Sequence, residues 1–154
     1  MPKIDLKSVP DRTGSSYPSP LHQPVQERIR QRLGDAGGLS DFGVNLLRLK
    51  PGIWSSQRHW HTHEDEFIFV VAGEVVLVTD KGEEVLRAGD CAAFAKNVPD
   101  GHHLINRTDR DALVLEVGSN SEDDVCTYPD VDMKVDMKNG FTHMDGRPFQ
   151  PREK

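Results

Sequence analysis

The chain has 154 residues, of which 36% are hydrophobic, and its formal net charge is −6. This length fits one domain with a core of its own, and the longest unbroken apolar run, residues 67–72, is far too short to cross a bilayer. The acidic balance argues against a nucleic-acid partner. Two cysteines without CxxC spacing, and no leader pattern at the start of the sequence, predict a protein of the reducing cytoplasm.

Residues 1–38 are predicted to form an irregular N-terminal arm. Five of the ten prolines fall in this stretch, and proline lacks the amide hydrogen that a β-ladder needs. A short helix fits Val25–Leu33, with Gly34 at its end. Because the arm has few apolar groups, it must dock onto another surface or remain without fixed structure.

A small basic cluster in this arm consists of Arg28, Arg30 and Arg32. Nucleic-acid-binding surfaces concentrate positive charge, whereas Glu27 and Asp35 dilute the charge here. We therefore interpret the three arginines as a solvated surface and predict no nucleic-acid partner.

Residues 39–119 are predicted to form an all-β domain, because short apolar runs alternate with turn signals such as Pro51-Gly52, a pattern typical of sandwiches and barrels. The predicted strands are Gly43–Leu49, Ser55–His61, Glu66–Val71, Glu74–Thr79, Glu83–Leu86, Cys91–Phe94, His102–Asn106 and Leu113–Val117. Residues 120–154 are polar again and are predicted to form a C-terminal arm, in which a turn at Asn139-Gly140 could join two short strands.

Five of the seven histidines fall into two groups, one at residues 59, 61 and 63 and one at residues 102 and 103. Side chains alternate across a strand, so His59 and His61 point the same way. If that face lines a barrel, the two imidazoles meet a later histidine and a carboxylate from residues 64–66. The spacing alone does not decide which of these three acidic residues faces inward. Imidazole with carboxylate suits a divalent transition metal, with iron, manganese, zinc, nickel and copper as the candidates.

The spacing of these residues resembles the two sequence motifs of the cupin superfamily. Gly52, the segment His59-Trp60-His61, Glu66 and Gly73 resemble the first motif, and the segments Gly89-Asp90 and His102–Asn106 resemble the second. Ala95 and Asn97 stand where the second motif usually has proline and glycine, and residues 98–101 lengthen the turn before the histidine. Strand alternation allows only one of His102 and His103 to face inward, and the spacing to Asn106 favours His102.

The resemblance implies a single double-stranded β-helix (jelly-roll) barrel between the two arms. It also implies that His59, His61, Glu66 and His102 bind one divalent metal ion. The residues expected to orient these ligands or to line the pocket are Gln57, His63, His103, Asn106, Phe67, Phe69, Phe94 and Leu104.

The activity that this resemblance implies remains open among oxygenase, isomerase, decarboxylase and lyase, because fold alone does not select a reaction. The leading hypothesis is an enzyme acting on a small oxygen-rich or aromatic metabolite, with an oxygenase favoured by family analogy. The alternatives are a module that binds a sugar or small acid without turnover, and a storage or scaffold protein. The long polar arms predict a homodimer in which they wrap a second subunit.

Overall fold

Thirteen antiparallel β-strands are the main regular structure in the part of the chain that the computed structural model describes, residues 3–150 and 152. In chain order they are β1 (Asp11–Thr13), β2 (Ile29–Arg32), β3 (Phe42–Leu49), β4 (Trp60–His61), β5 (Glu66–Ala72), β6 (Glu74–Thr79), β7 (Gly82–Arg87), β8 (Cys91–Phe94), β9 (His103–Ile105), β10 (Ala112–Ser119), β11 (Val125–Tyr128), β12 (Met133–Asp136) and β13 (Gly140–Thr142). In these described residues, helical structure is limited to α1 (Leu33–Ala36) and the 3-10 turns Leu6–Ser8 and Gln23–Val25. Within the described residues, none of the helices has the length and hydropathy needed to cross a membrane.

The strands form three sheets, with the orders β1-β2-β3-β10-β5-β8, β13-β12-β11-β4 and β7-β6-β9. The main core lies between the first and third sheets. It contains Leu47 and Val70 from the six-stranded sheet and Val75 and Leu104 from the three-stranded sheet, all buried. The all-β prediction is therefore confirmed.

A second core joins the two ends of the chain. Tyr17 and Val25, which precede β2, pack with Cys126, Tyr128 and Met133 of the four-stranded sheet. The rings of Tyr17 and Tyr128 meet edge to face, with 5.5 Å between their centroids. The proline-rich N-terminal segment therefore docks on strands from the C-terminal part of the chain.

The predicted strands Glu74–Thr79 and Cys91–Phe94 are confirmed with the same bounds, but Ser55–His61 is a strand only at its end. The amide of Leu104 donates to the Ser55 hydroxyl instead of a backbone carbonyl, at 2.9 Å. A side chain thus replaces the backbone acceptor that a continuous ladder needs.

The helix predicted over Val25–Leu33 is wrong, because residues 29–32 form β2 and pair with residues 45–48 of β3. The prolines at 10, 18, 20 and 24 leave residues 11–13 and 29–32 free of proline, and β1 and β2 form in these two gaps. Cross-strand pairing with an adjacent sheet outweighs the weak helical propensity of this segment.

The outer face of the six-stranded sheet is apolar. On β5, Phe67, Phe69 and Val71 are 39%, 38% and 48% exposed. On the neighbouring strand β10, Leu115 pairs with Phe69 and Val117 with Phe67. On the next strand, β3, Leu46 pairs with Leu115 and Val44 with Val117. We call these seven residues the outer apolar face.

Gly73, in the turn between β5 and β6, has φ +79° and no room for a side chain. A Cβ atom there would lie 2.8 Å from the Asp111 carbonyl oxygen and 3.0 Å from the Ala112 Cα. Gly52 has φ +80° but no atom within 4 Å of a Cβ position. The two glycines therefore have the same backbone conformation, but only Gly52 has room for a Cβ atom.

We predict that Gly73→Ala lowers the free energy of unfolding by about 3 kcal/mol, since the left-handed backbone and the backbone clash both oppose the methyl group. Gly52→Ala, the matched control, should cost about 1 kcal/mol through its backbone conformation alone. Urea denaturation measures both values. Equal losses would show that the close approach at Gly73 carries no cost.

Candidate metal centre

Three histidines converge on the carboxylate of Glu66, the first residue of β5. His102 Nε2 lies 2.6 Å from Glu66 Oε2, and His59 Nε2 lies 3.3 Å from the same oxygen. His61 Nε2 is 3.5 Å from Glu66 Oε1. A backbone bridge between His59 and His102 and the pairing of β4 with β11 hold these imidazoles in place. The structure thus brings the four residues of the predicted ligand set to one point.

The other ring nitrogens of two of these histidines face hydrogen-bond acceptors. His59 Nδ1 lies 2.9 Å from the Gln57 carbonyl oxygen, and His61 Nδ1 lies 2.6 Å from Asp124 Oδ2. A carbonyl or a carboxylate only accepts, so in the neutral imidazole Nδ1 carries the hydrogen and Nε2 presents a lone pair. Two such lone pairs facing a carboxylate repel each other unless a cation or a proton lies between them.

Burial and charge act in opposite directions within this cluster. Burial alone would raise the pKa of Glu66, but the adjacent imidazoles, with His59 first, hold that pKa well below its usual range. Burial would lower the pKa of His59, and the Glu66 carboxylate outweighs it and raises the pKa. For His102 burial prevails, and its pKa is lowered. The Glu66 carboxylate is therefore ionised. Of the two imidazoles beside it, His59 favours the protonated form and His102 the neutral form.

These donors fit a divalent transition metal. Donor atoms of His59, Glu66 and His102 all lie within 4.8 Å of one another, and the Nδ1 contacts of His59 and His61 leave Nε2 free for coordination. Imidazole nitrogen with carboxylate oxygen is a donor set that iron, manganese, nickel, copper and zinc all accept.

The structure distinguishes the candidates that the spacing left open. His103 turns away from Glu66, its Nδ1 lying 2.9 Å from the Ser56 carbonyl oxygen, so His102 is the histidine at the cluster. Of the acidic run, Asp65 accepts a hydrogen bond from the Lys96 amide at 2.9 Å. Glu64 lies beside His61, with 3.6 Å between its Oε2 and Nδ1.

Three polar residues that sequence reasoning placed around the ligands have other contacts. The Gln57 amide donates to the Leu21 carbonyl, and only its backbone oxygen serves His59. The Asn106 side chain, fully buried, donates to the Leu49 and Arg110 carbonyls and so stabilises a turn. The exposed His63 ring contacts the Thr62 hydroxyl. Their side chains therefore do not orient the imidazoles.

Of the four apolar residues predicted for the pocket wall, three border the cavity and one does not. Phe94 stacks on His102 with 3.5 Å between centroids and 3° between planes. Phe94, Leu104 and Phe67 border the cavity described below, whereas Phe69 lies only on the outer apolar face. Strand alternation turns both Phe67 and Phe69 outward, because Glu66 and Ile68 take the inward positions of β5. Phe67, beside Glu66, nevertheless borders the cavity.

The cluster opens into a cavity of about 570 Å³. Arg28, Arg30 and Arg32 also line this cavity, so the interpretation of this basic cluster as a solvated surface is wrong for Arg28, which is 8% exposed, and for Arg30. Pairing of β2 with β3 turns residues 30 and 32 inward. Arginines at every second position are typical of one face of a strand, but the surrounding prolines argued against a strand in this segment.

Asp124, Tyr17 and Tyr128 also line the cavity and were not predicted, because only tertiary contacts bring them here.

Comparison with known proteins agrees with this geometry. Residues 45–118 match the family model described as "Cupin domain". A crystal structure of a sugar phosphate isomerase from a cupin superfamily, from Silicibacter pomeroyi, is 49% identical, with 97% of each chain covered and a TM-score of 0.91. A candidate sugar phosphate isomerase from Acidithiobacillus ferrooxidans is 27% identical over 82% of each chain, with a TM-score of 0.72. The polyketide cyclase RemF from Streptomyces resistomycificus, 18% identical over 77% of this chain and 79% of its own, shares the fold with a TM-score of 0.64. No curated protein matches this sequence.

Asp124 is the residue that supports this cluster from the C-terminal part of the chain. Its side chain, 10% exposed, contacts His61 Nδ1 at 2.6 Å and accepts from the His63 amide at 2.8 Å. We predict that Asp124→Ala lowers the free energy of unfolding by about 2 kcal/mol, because hydrogen bonds to a charged group are lost and their partners remain.

The control is Asp123→Ala, which removes an exposed carboxylate from the next position and should change stability by less than about 0.5 kcal/mol. Denaturant unfolding of the two variants beside the wild type gives both values. Equal effects would show that the contacts of Asp124 do not stabilise the fold.

Proposed function

Since the chain belongs to the cupin superfamily, we propose that it is an isomerase of small phosphorylated sugars that depends on a divalent metal. The observation that carries this proposal is the convergence of three imidazole Nε2 atoms on the Glu66 carboxylate inside a cavity that arginines also line. The Silicibacter pomeroyi relative supports the reaction class, and it supports isomerisation over the oxygenase favoured by analogy.

His59, His61, Glu66 and His102 would hold the metal. When bound, a divalent cation would supply Lewis-acid chemistry at the substrate carbonyl and the hydroxyl next to it. The protein fixes the donors before the substrate arrives, since the Gln57 carbonyl and Asp124 orient two imidazoles and Phe94 stacks on a third. Such preorganisation keeps the reacting oxygens in one geometry.

We predict that the protein purified with metal interconverts an aldose phosphate and its ketose phosphate, observed by NMR, and that chelation abolishes turnover. His102→Gln should weaken metal binding by more than about 100-fold, since losing even a residue that only supports a ligand costs up to that factor. Elemental analysis after dialysis measures the metal.

The matched control is His103→Gln, which changes the adjacent histidine, equally buried but turned away from Glu66. It should retain the metal, because its ring contacts the Ser56 carbonyl and not Glu66. Full activity after complete metal removal would contradict the proposal, and tight binding of an unchanged sugar phosphate without turnover would replace the enzyme with a binding module.

We also propose that two copies pair through the outer apolar face. The central strands β5 and β10 present phenylalanine, valine and leucine side chains there, and exposed apolar patches of this kind mark interaction sites. A sheet face that pairs with its own copy gives the two-fold symmetry common in homodimers. The N-terminal arm was expected to wrap a second subunit, but its strands β1 and β2 join the six-stranded sheet of the same chain.

Phe69→Glu should convert the dimer to a monomer, because it would bury an unpaired charge at the centre of the interface. Val85→Glu is the control, since Val85 is 42% exposed on β7 of another sheet. Sedimentation equilibrium at micromolar concentration distinguishes the two states. A monomeric wild-type protein, or a dimer that tolerates Phe69→Glu, would refute this interface.

A further inference from the structure

Arg28 is a buried cation that has no acidic partner among the residues that the structure describes. Its side chain lies in the wall of the cavity, and the residue is 8% exposed. Its Nε donates to the Gly14 carbonyl at 3.0 Å and its Nη1 donates to the Ser55 carbonyl, while the guanidinium lies 5.9 Å from the centre of the Tyr17 ring. Among the described residues, no carboxylate forms an ion pair with it. Both of its hydrogen bonds go to neutral carbonyl oxygens, and the carboxylate that acts on its charge, Glu116, is bound by Arg30.

The two arginines beside it differ in this respect. Arg30 donates twice to Glu116, at 2.8 and 3.0 Å. Arg32, at the exposed end of β2, lies 3.5 Å from Asp35. Of the three arginines, Arg28 is therefore the one that forms no ion pair within the described residues. Burial and the nearby Arg30 lower its pKa, yet a guanidinium stays protonated at neutral pH, so the site retains a positive charge that an anion would neutralise.

The surroundings of Arg28 connect it to the metal ligands. The Ser55 carbonyl that it binds belongs to the residue before Ser56, whose hydroxyl lies 3.2 Å from His59 Nδ1. Ser15 and Ser16 line the same cavity and offer hydroxyl groups. The imidazole cluster and the guanidinium of Arg28 therefore line one cavity of about 570 Å³.

We propose that Arg28 binds the phosphate group of the substrate, and this assignment rests on the proposed isomerase function. The guanidinium has N–H groups beyond the two used for Gly14 and Ser55, and the planar fork matches phosphate oxygens. The sugar then extends from Arg28 toward the cluster at Glu66, with its carbonyl end at the metal ligands. Arg28 thus selects phosphorylated sugars over free ones.

Inorganic phosphate is the probe, and its affinity for the full-length, metal-loaded protein is measured by calorimetry and by the shift of the melting temperature at constant ionic strength. We expect the wild type to bind phosphate and Arg28→Gln to bind it about tenfold or more weakly, because hydrogen bonds to a charged group are lost. Arg28→Lys keeps the charge without the fork and should also bind more weakly. It replaces Arg28→Gln if that variant does not fold.

Two control variants distinguish phosphate binding by Arg28 from a general charge effect and from phosphate binding at the metal. Arg48→Gln removes one positive charge from an exposed position of β3 and should leave phosphate affinity unchanged. His102→Gln removes a metal ligand and should retain phosphate binding. Phosphate binding that is absent in the wild type, or that is lost in His102→Gln and kept in both Arg28 variants, would overturn the assignment.

The proposed reaction fails on different observations. If no sugar phosphate is isomerised but phosphate binding depends on Arg28, the reaction is wrong and the anion site stands. If turnover occurs with equal KM for a sugar and its phosphate, and Arg28→Lys changes neither value, the anion site is wrong and the reaction stands.

Discussion

The register of β5 is the constraint on which the site depends. Glu66 pairs with Phe94 of β8 on one side and with Gly118 of β10 on the other, and this pairing points its carboxylate into the cavity. Phe94 in turn stacks on His102. A shift of one residue would place Phe67 inside and Glu66 outside, because side chains alternate along a strand. The hydrophobic pattern of β5 therefore determines both the core and the position of the acidic donor.

The same alternation explains which parts of the molecule the sequence predicts. The spacing of His59, His61, Glu66 and His102 is local to two segments, and the structure brings these residues together. The strands β6 and β8 also follow from their local apolar runs. The inward side of β5 was harder to predict, because Phe67 and Phe69 are as apolar as a core but alternate with an acidic residue that faces the cavity. The hydrophobicity of these residues does not show which face of β5 is inward, because both faces carry large apolar side chains.

Arg28 and Asp124 could not be placed from the sequence, for a related reason. Each lies in a polar segment whose structure is decided by distant partners. Arg30 contacts Glu116 across 86 residues, and His61 contacts Asp124 across 63. Local composition indicated solvated arms, whereas the pairing of β2 with β3 and of β11 with β4 makes both segments part of the cavity wall. Long-range pairing of this kind leaves little trace in a local pattern of charges and prolines.

The contact between His61 and Asp124 also bears on how the protein is made. Synthesis proceeds from the N-terminus, so the three histidines and Glu66 leave the ribosome before the carboxylate that orients His61. The four-stranded sheet, whose β4 carries His61, closes only after β11 to β13 have emerged. A nascent chain therefore has an incomplete set of oriented donors until Asp124 and β11 have been synthesised. The His61–Asp124 contact is thus expected to be a late step of assembly, completed only when the C-terminal strands pair with β4.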